Sequence, residues 1–118
     1  VVDNTVNGKP LLYVFNQKNV IIGDPGQVIV AYSQEIIIRN YNLSDASVGA
    51  QISYSENVTI DKNTLSRNTY GIYVEYTNNI TISNNTISEN SQAGIYLWFC
   101  NNTILVKNTV SDYSAQRY

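Results

Sequence analysis

A pair of acids and a set of aromatic rings are the groups in this sequence that could do chemistry. Tyr73, Glu75, Tyr96 and Trp98 fall at alternate positions of two matching stretches, GIYVEY and GIYLWF. In an extended chain alternate positions share a face, so the four are expected on one flat strand surface. Aromatic rings offer stacking platforms for sugar rings, and a carboxylate accepts hydrogen bonds from hydroxyls. The set reads first as a face that packs on another polypeptide segment, and second as a carbohydrate-binding patch. Glu35 and Glu56 are the best acid pair, on adjacent repeats and diagonal to each other, with Asp24 near the same edge. Hydrolysis of a glycan needs converging carboxylates. No Arg joins Glu35 and Glu56, and a calcium ion there would need further oxygen ligands, so a solvated Glu pair is the competing reading.

Other chemistries are limited by composition. The 118 residues include no His, no Met and one Cys. Copper and zinc draw on imidazole, thiolate and thioether ligands, so no metal or other cofactor is expected. A Ser or Cys nucleophile would lack an activating imidazole. Cys100 shares a column with Ser33, Ser55 and Thr77 and reads as a small corner residue. Asn-x-Ser/Thr stretches at Asn42, Asn57, Asn79, Asn84 and Asn101 are glycan acceptors in an exported protein, although a repeat rich in Asn and Thr also generates them by chance. The net charge of −2 and the lack of any Lys/Arg run speak against a nucleic-acid partner. No apolar stretch approaches the roughly 18 residues of a membrane span, so no membrane insertion is expected. The chain begins on Val rather than Met, which reads as a processed or excised piece of a longer protein.

The elements that position these groups are repeats. Gly49, Gly71 and Gly94 stand 22 and then 23 residues apart, a spacing typical of repeat architectures. Aligning on them gives apolar columns: Val28, Ala50, Ile72 and Ile95, then Val30, Ile52, Val74 and Leu97, then an aromatic set, Tyr32, Tyr54, Tyr76 and Phe99. A second stretch supplies Ile36, Val58, Ile80 and Thr103 beside Ile38, Ile60, Ile82 and Leu105, and a third supplies Leu43, Leu65, Ile87 and Val110. Alternation with period two marks strands with one buried face, so all of these columns, the aromatic one included, are read as inward. In the first turns Leu12, Val14, Val20 and Ile22 join the inward columns, and GDPG at 23–26 turns straight back. Abundant Ile, Val, Thr and Tyr with few helix formers agree with strands. Three short strands per copy make one coil, and stacking coils buries what one coil cannot.

The reading is an all-β chain, a single domain over residues 1–118 and a parallel β-helix with coils of about 22 residues, right-handed by the general rule for parallel crossovers. Charges test the register: Asp45, Arg67 and Glu89 alternate in sign in one column, and Arg39 neighbours Asp61 in another. Asn63, Asn85 and Asn108, and likewise Asn68 and Asn90, are expected to be side-chain ladders at corners. The extra residue in SQAG, before Gly94, is read as a corner bulge. The last coil has no following strand and carries Ile104 and Val106 where other coils place Thr, Asp or Ser. Such a bare edge needs cover, which implies either a longer parent helix or association end to end or edge to edge through that coil.

The segment NTVNGKPLLYVFNQKNVIIGDPGQVIVAYS, with the later GIYV and NNTIS, resembles NosD-type β-helix domains. These are part of a wider pectin lyase-like group of carbohydrate-binding proteins and sugar hydrolases. The resemblance spans nearly the whole chain and implies a parallel β-helix. It also implies export to the cell surface, the extracellular space or a periplasm-like compartment, and archaeal surface proteins are among its carriers. The name-giving member assists copper-site maturation in nitrous oxide reductase. Four functions follow as expectations: a structural or interaction module with other surface proteins as partners, a carbohydrate-binding module with a polysaccharide partner, a copper-maturation accessory, and a polysaccharide lyase or hydrolase.

Overall fold

A computed structural model describes residues 5–6, 8–18 and 25–111. Val20, Ile22 and Asp24, together with the first half of the GDPG turn, lie outside the described residues. The strands in chain order are β1 (Thr5–Val6), β2 (Lys9–Phe15), β3 (Gln27–Ala31), β4 (Gln34–Arg39), β5 (Val48–Ser53), β6 (Glu56–Asp61) and β7 (Thr64–Ser66), followed by β8 (Tyr70–Glu75), β9 (Asn78–Ser83), β10 (Thr86–Ser88), β11 (Ala93–Trp98), β12 (Asn101–Val106) and β13 (Thr109–Ser111). No helix occurs among the described residues.

Three sheets result. The first runs β1-β2-β3-β5-β8-β11, the second β12-β9-β6-β4 and the third β13-β10-β7. Every pair is parallel except β1 with β2, an antiparallel hairpin at the edge of the first sheet. Register matches the repeat: Val28 lies beside Ala50, Ala50 beside Ile72 and Ile72 beside Ile95. The chain is thus a solenoid of stacked coils, with neighbouring strands about 4.8 Å apart.

The alternating apolar residues explain the core. Val28, Val30, Ile36, Ile38, Leu43, Ile52, Ile60, Leu65, Ile72, Ile80, Ile82 and Ile87 are all fully buried in one continuous cluster. Each contributes about 1.5–3 kcal/mol by leaving water, and each does so only because the next coil covers it.

Corners are built with left-handed backbone. Sixteen described non-glycine residues have positive φ, between 49° and 65°. They recur coil by coil: Tyr32, Tyr54, Tyr76 and Phe99; Glu35, Asn57, Asn79 and Asn102; Asn40, Lys62, Asn84 and Lys107; Asp45, Arg67 and Glu89. This corrects the reading of the aromatic column as inward. Val30 points in and Ala31 out, and plain alternation would turn Tyr32 in. Its φ of 51° reverses that, and the ring stands 55 % exposed, with Ser33 buried instead.

Buried polar side chains serve the backbone at these corners. Asn85 Oδ1 accepts the Asn63 N–H at 2.9 Å, and Asn85 Nδ2 donates to Ile60 O at 3.0 Å and Asn108 Oδ1 at 3.0 Å. Asn63 repeats the pattern one coil earlier, donating to Ile38 O and receiving the Tyr41 N–H. Asn68 and Asn90 form the second ladder, reaching Leu43 O and Leu65 O. A third ladder uses hydroxyls: Ser33 N–H donates to Ser55 Oγ, and Ser55 N–H to Thr77 Oγ1. The expected charge pairs form as well. Arg67 grips Asp45 through two bonds of 2.6 and 2.9 Å, and Arg39 Nε donates to Asp61 at 2.9 Å. The coil lengthens where SQAG predicts it: Asn68 aligns with Asn90, 22 residues on, whereas Tyr70 aligns with Ala93, 23 on.

Two glycines sit where coils touch backbone to backbone. A Cβ on Gly71 would lie 2.6 Å from Gly94 O, and one on Gly49 would lie 2.8 Å from both Gly71 O and Leu43 O. Neither neighbour is a side chain that can swing away. Gly71→Ala should therefore lower stability by about 1–3 kcal/mol, as an overpacked core does. Asn85→Ala, which strands a buried N–H and a buried carbonyl, should cost about 2 kcal/mol or more. Urea unfolding midpoints check both, and an unchanged midpoint for Asn85→Ala would remove the ladder from the account of the corners.

Candidate functional site

With inward positions committed to the core, chemistry is left to the outer face. On the first sheet two outward columns lie side by side. One is Tyr13, Ile29, Gln51, Tyr73 and Tyr96, and the other is Phe15, Ala31, Ser53, Glu75 and Trp98. The four residues singled out from sequence thus share one face across β8 and β11.

Their geometry limits what they offer. Tyr73 and Tyr96 stack on each other with centroids 5.0 Å apart and planes within 9°. Tyr70 closes edge-on against both, at 5.2 and 5.6 Å. The facing surfaces of the two rings are spent on one another, which leaves each ring its outer face, its edge and its hydroxyl. Glu75 accepts a hydrogen bond from Ser53 Oγ at 3.1 Å. Burial raises the Tyr73 phenol pKa first, and the Glu75 charge raises it further, ahead of Tyr96 and Tyr70. Trp98 is 46 % exposed and meets Phe99 edge-on at 5.0 Å. Trp98 and Glu75 are the members of the set best placed to touch a ligand.

A larger aromatic feature stands at the neighbouring corner. Tyr32, Tyr54, Tyr76 and Phe99 form a continuous stack, with centroids 5.1, 4.9 and 5.2 Å apart and planes within 7°. Phe15 closes its first end, edge-on to Tyr32 at 5.7 Å. Sequence reasoning found this column but turned it inward. A signal was present in Asn16, which heads the same column with positive φ and the same backbone hydrogen bond to the next coil. A polar residue there marks an outward position. The energetics are nearly balanced: left-handed backbone costs roughly 1–2 kcal/mol per non-glycine residue, and an aromatic pair returns about 0.5–1.5 kcal/mol. Asn, used at other corners, fits left-handed backbone more readily, so stability alone does not account for tyrosine here. The Tyr54 phenol pKa is raised, first by desolvation, then by Tyr76, Tyr32 and Glu75.

The acid pair is less promising. Glu56 aligns with Gln34 and Asn78, and Glu35 falls one column over with Asn57. Both are exposed. A groove of about 330 Å³ runs between Tyr32 and Tyr54 on one side and Gln34 and Glu56 on the other. Among the described residues no three His, Cys, Asp or Glu side chains gather to hold a metal. A second groove, about 480 Å³, follows the outer face of the second sheet and is lined by uncharged Asn57, Thr59, Asn79, Thr81 and Asn102. Asn42, Asn57, Asn79, Asn84 and Asn101 are all exposed. Of these, Asn84 donates to Asp61 Oδ1 and Asn101 to Asn78 Oδ1. Cys100 is half-buried, its thiol directed at Val74 O and Trp98 O, 3.7 and 3.5 Å away.

These features define a parallel β-solenoid whose variation from coil to coil lies on its outer surface. The chain belongs to the family of the periplasmic copper-binding protein NosD, whose model matches residues 2–116. The match supports an exported or periplasmic setting and carries no statement of an archaeal source. No curated protein and no solved structure matches the chain. No helix among the described residues is long and apolar enough to cross a membrane.

The family name implies copper, and the donor set does not fit it. Copper sites draw on imidazole, thiolate or thioether, and this sequence has neither His nor Met. Its one thiol is directed at two backbone carbonyls, Val74 O and Trp98 O.

The buried carboxylate Asp61 gives a pH signature. Burial works to raise its pKa, but hydrogen bonds from Asn84, Ser83 and Arg39, with the charge of Arg39, outweigh burial and leave it below the ordinary 3.8. Asp45 is lowered by its hydrogen bond from Arg67. A depressed carboxyl stabilises the fold above its unfolded pKa, and that contribution fades as pH falls through the folded value. The urea midpoint should hold steady near neutrality and fall below about pH 4. Asp61→Asn should flatten that acid limb, and an identical limb in the variant would show that Asp61 is not its source.

Proposed function

We propose that this chain is a non-catalytic structural and interaction module of an exported protein, a stack of coils that displays its outer face to other surface components. The supporting observation is the distribution of polar groups. Asn63, Asn68, Asn85, Asn90, Ser33, Ser55 and Thr77 are buried in service of the backbone, and Asp45 and Asp61 are held by Arg67 and Arg39. Among the described residues no third acid converges on Glu35 and Glu56, so this reading is favoured over a polysaccharide lyase or hydrolase. The donor set weighs against the copper-maturation role in the same way. Asn42, Asn57, Asn79, Asn84 and Asn101 are candidate glycan attachment points in this reading.

A second reading keeps a specific observation behind it. Exposed Trp98 beside Glu75, with the Tyr73 and Tyr96 hydroxyls on the same face, suits a sugar ring laid on the indole. Glycan-array binding of the chain beside Trp98→Ala separates the two. Retention that disappears in the variant would establish a carbohydrate-binding module, whereas the structural reading expects none from either protein. A copper titration completes the test. A ligand that binds only the folded state raises its stability, so the expected result is no stoichiometric binding and an unchanged Tm with Cu(I) or Cu(II). A one-to-one complex that raises Tm would overturn the proposal in favour of copper handling.

A further inference from the structure

We propose that Tyr32, Tyr54 and Tyr76 form an oxidative cross-linking site, at which a peroxidase with hydrogen peroxide joins neighbouring coils through a carbon–carbon bond between tyrosine rings. Three phenols stand in one exposed row, 55, 47 and 44 % accessible. Successive rings are 5.1 and 4.9 Å apart and within 7° of parallel. Equivalent rings on successive coils thus face one another at about 5 Å. Bond formation needs the rings to tilt toward each other about the Cα–Cβ and Cβ–Cγ bonds, and the open corner leaves room for that. Holding reactants in place turns a bimolecular encounter into an intramolecular one, so coupling within the stack outruns coupling between molecules.

The chemistry balances. Each of two phenols loses one electron and one proton to give a phenoxyl radical. The radicals join through their ortho carbons, and the two ortho hydrogens move to oxygen as the rings regain aromaticity. Hydrogen peroxide takes up the two electrons and two protons and leaves as two waters. The stack is bounded by rings that carry no phenol, Phe15 at one end and Phe99 at the other, so coupling is confined to the pairs that include Tyr54. The other stacked pair, Tyr73 and Tyr96, is half-buried and hemmed by Tyr70, which leaves it less reachable and less free to tilt. Each coupled pair would add a covalent staple between residues 22 apart, across coils that are otherwise joined by hydrogen bonds and packing.

The test treats the purified chain with peroxidase and limiting hydrogen peroxide, then reads dityrosine fluorescence, intact mass and tryptic peptides. Arg39, Lys62 and Arg67 place Tyr32, Tyr54 and Tyr76 in three different tryptic peptides, and fragment sequencing of the joined pair tells Tyr54 from Tyr41 and Tyr76 from Tyr70, Tyr73 and Tyr96 in the unaltered protein. The expected product is a monomer lighter by two hydrogens, with Tyr54 joined to Tyr32 or Tyr76. Tyr54→Phe keeps a ring in the stack and leaves the two remaining phenols two coils apart, so the fluorescence should fall about tenfold. Tyr96→Phe should leave it unchanged. No dityrosine, a product found only between molecules, a bond mapped to Tyr73 and Tyr96, or an unchanged yield in Tyr54→Phe would each overturn the proposal. An unaltered urea midpoint for Tyr54→Phe establishes that the variant folds, and peptide mapping of the native chain decides the matter without it.

Discussion

Everything in this fold depends on the chain returning to the same column with each coil, 22 residues on from β3 to β5 and from β5 to β8. In the stacked strands, backbone N–H and C=O groups pair across to neighbouring coils, and the stack is what satisfies them. A strand that arrived one residue early would turn its apolar side to water along its whole length. The Asn and Ser/Thr ladders guard this return at the corners, where regular pairing lapses. Asn85 alone receives the N–H of Asn63 in the coil before it and closes on the Ile60 carbonyl. A corner side chain therefore does for the solenoid what a strand backbone does within its sheets. Where Asn90 gives way to Ala93 the return takes one residue more, and the pairing on either side is unaffected.

The inward columns were legible in sequence because burial imposes period two and the repeat shows it several times over. Val30, Ile52, Val74 and Leu97 needed only alignment, and Arg39 with Asp61 verified it. The corners were less legible, because backbone handedness is a torsion and not a composition. Asn at a corner advertises left-handed φ, as Asn57 and Asn79 do. Tyr54 and Phe99 do not, since bulky residues seldom adopt it. The aromatic column was therefore seen and turned the wrong way. The patch at Tyr73 and Tyr96 was legible as a location but not as a geometry. Alternation predicts that the two rings share a face; it does not say that they spend their surfaces on each other.

Family membership and side-chain chemistry point in different directions here. Membership accounts for the fold and is consistent with an extracellular or periplasmic setting. The copper in the family's name calls for ligands that this chain lacks, and the solenoid does not require them, because its stability comes from stacked aliphatic columns and corner amides. Such a fold separates the scaffold from whatever is displayed on it. Outer columns change residue type from coil to coil, as Ala31, Ser53, Glu75 and Trp98 do down a single line, while the inner columns stay aliphatic apart from Thr103 in the last coil.

The one-residue enlargement between Asn90 and Ala93 shows where the architecture has slack. Ser91 and Gln92 lie on the exposed outside of a corner, beyond the aliphatic columns. Closing a longer loop there would cost only about 0.6 kcal/mol for each doubling of its length, and the strands on both sides would keep their partners. That corner is a natural port for grafting: a peptide epitope or a short binding loop inserted there would be carried on the side of the coil stack, at a height set by the number of coils beneath it.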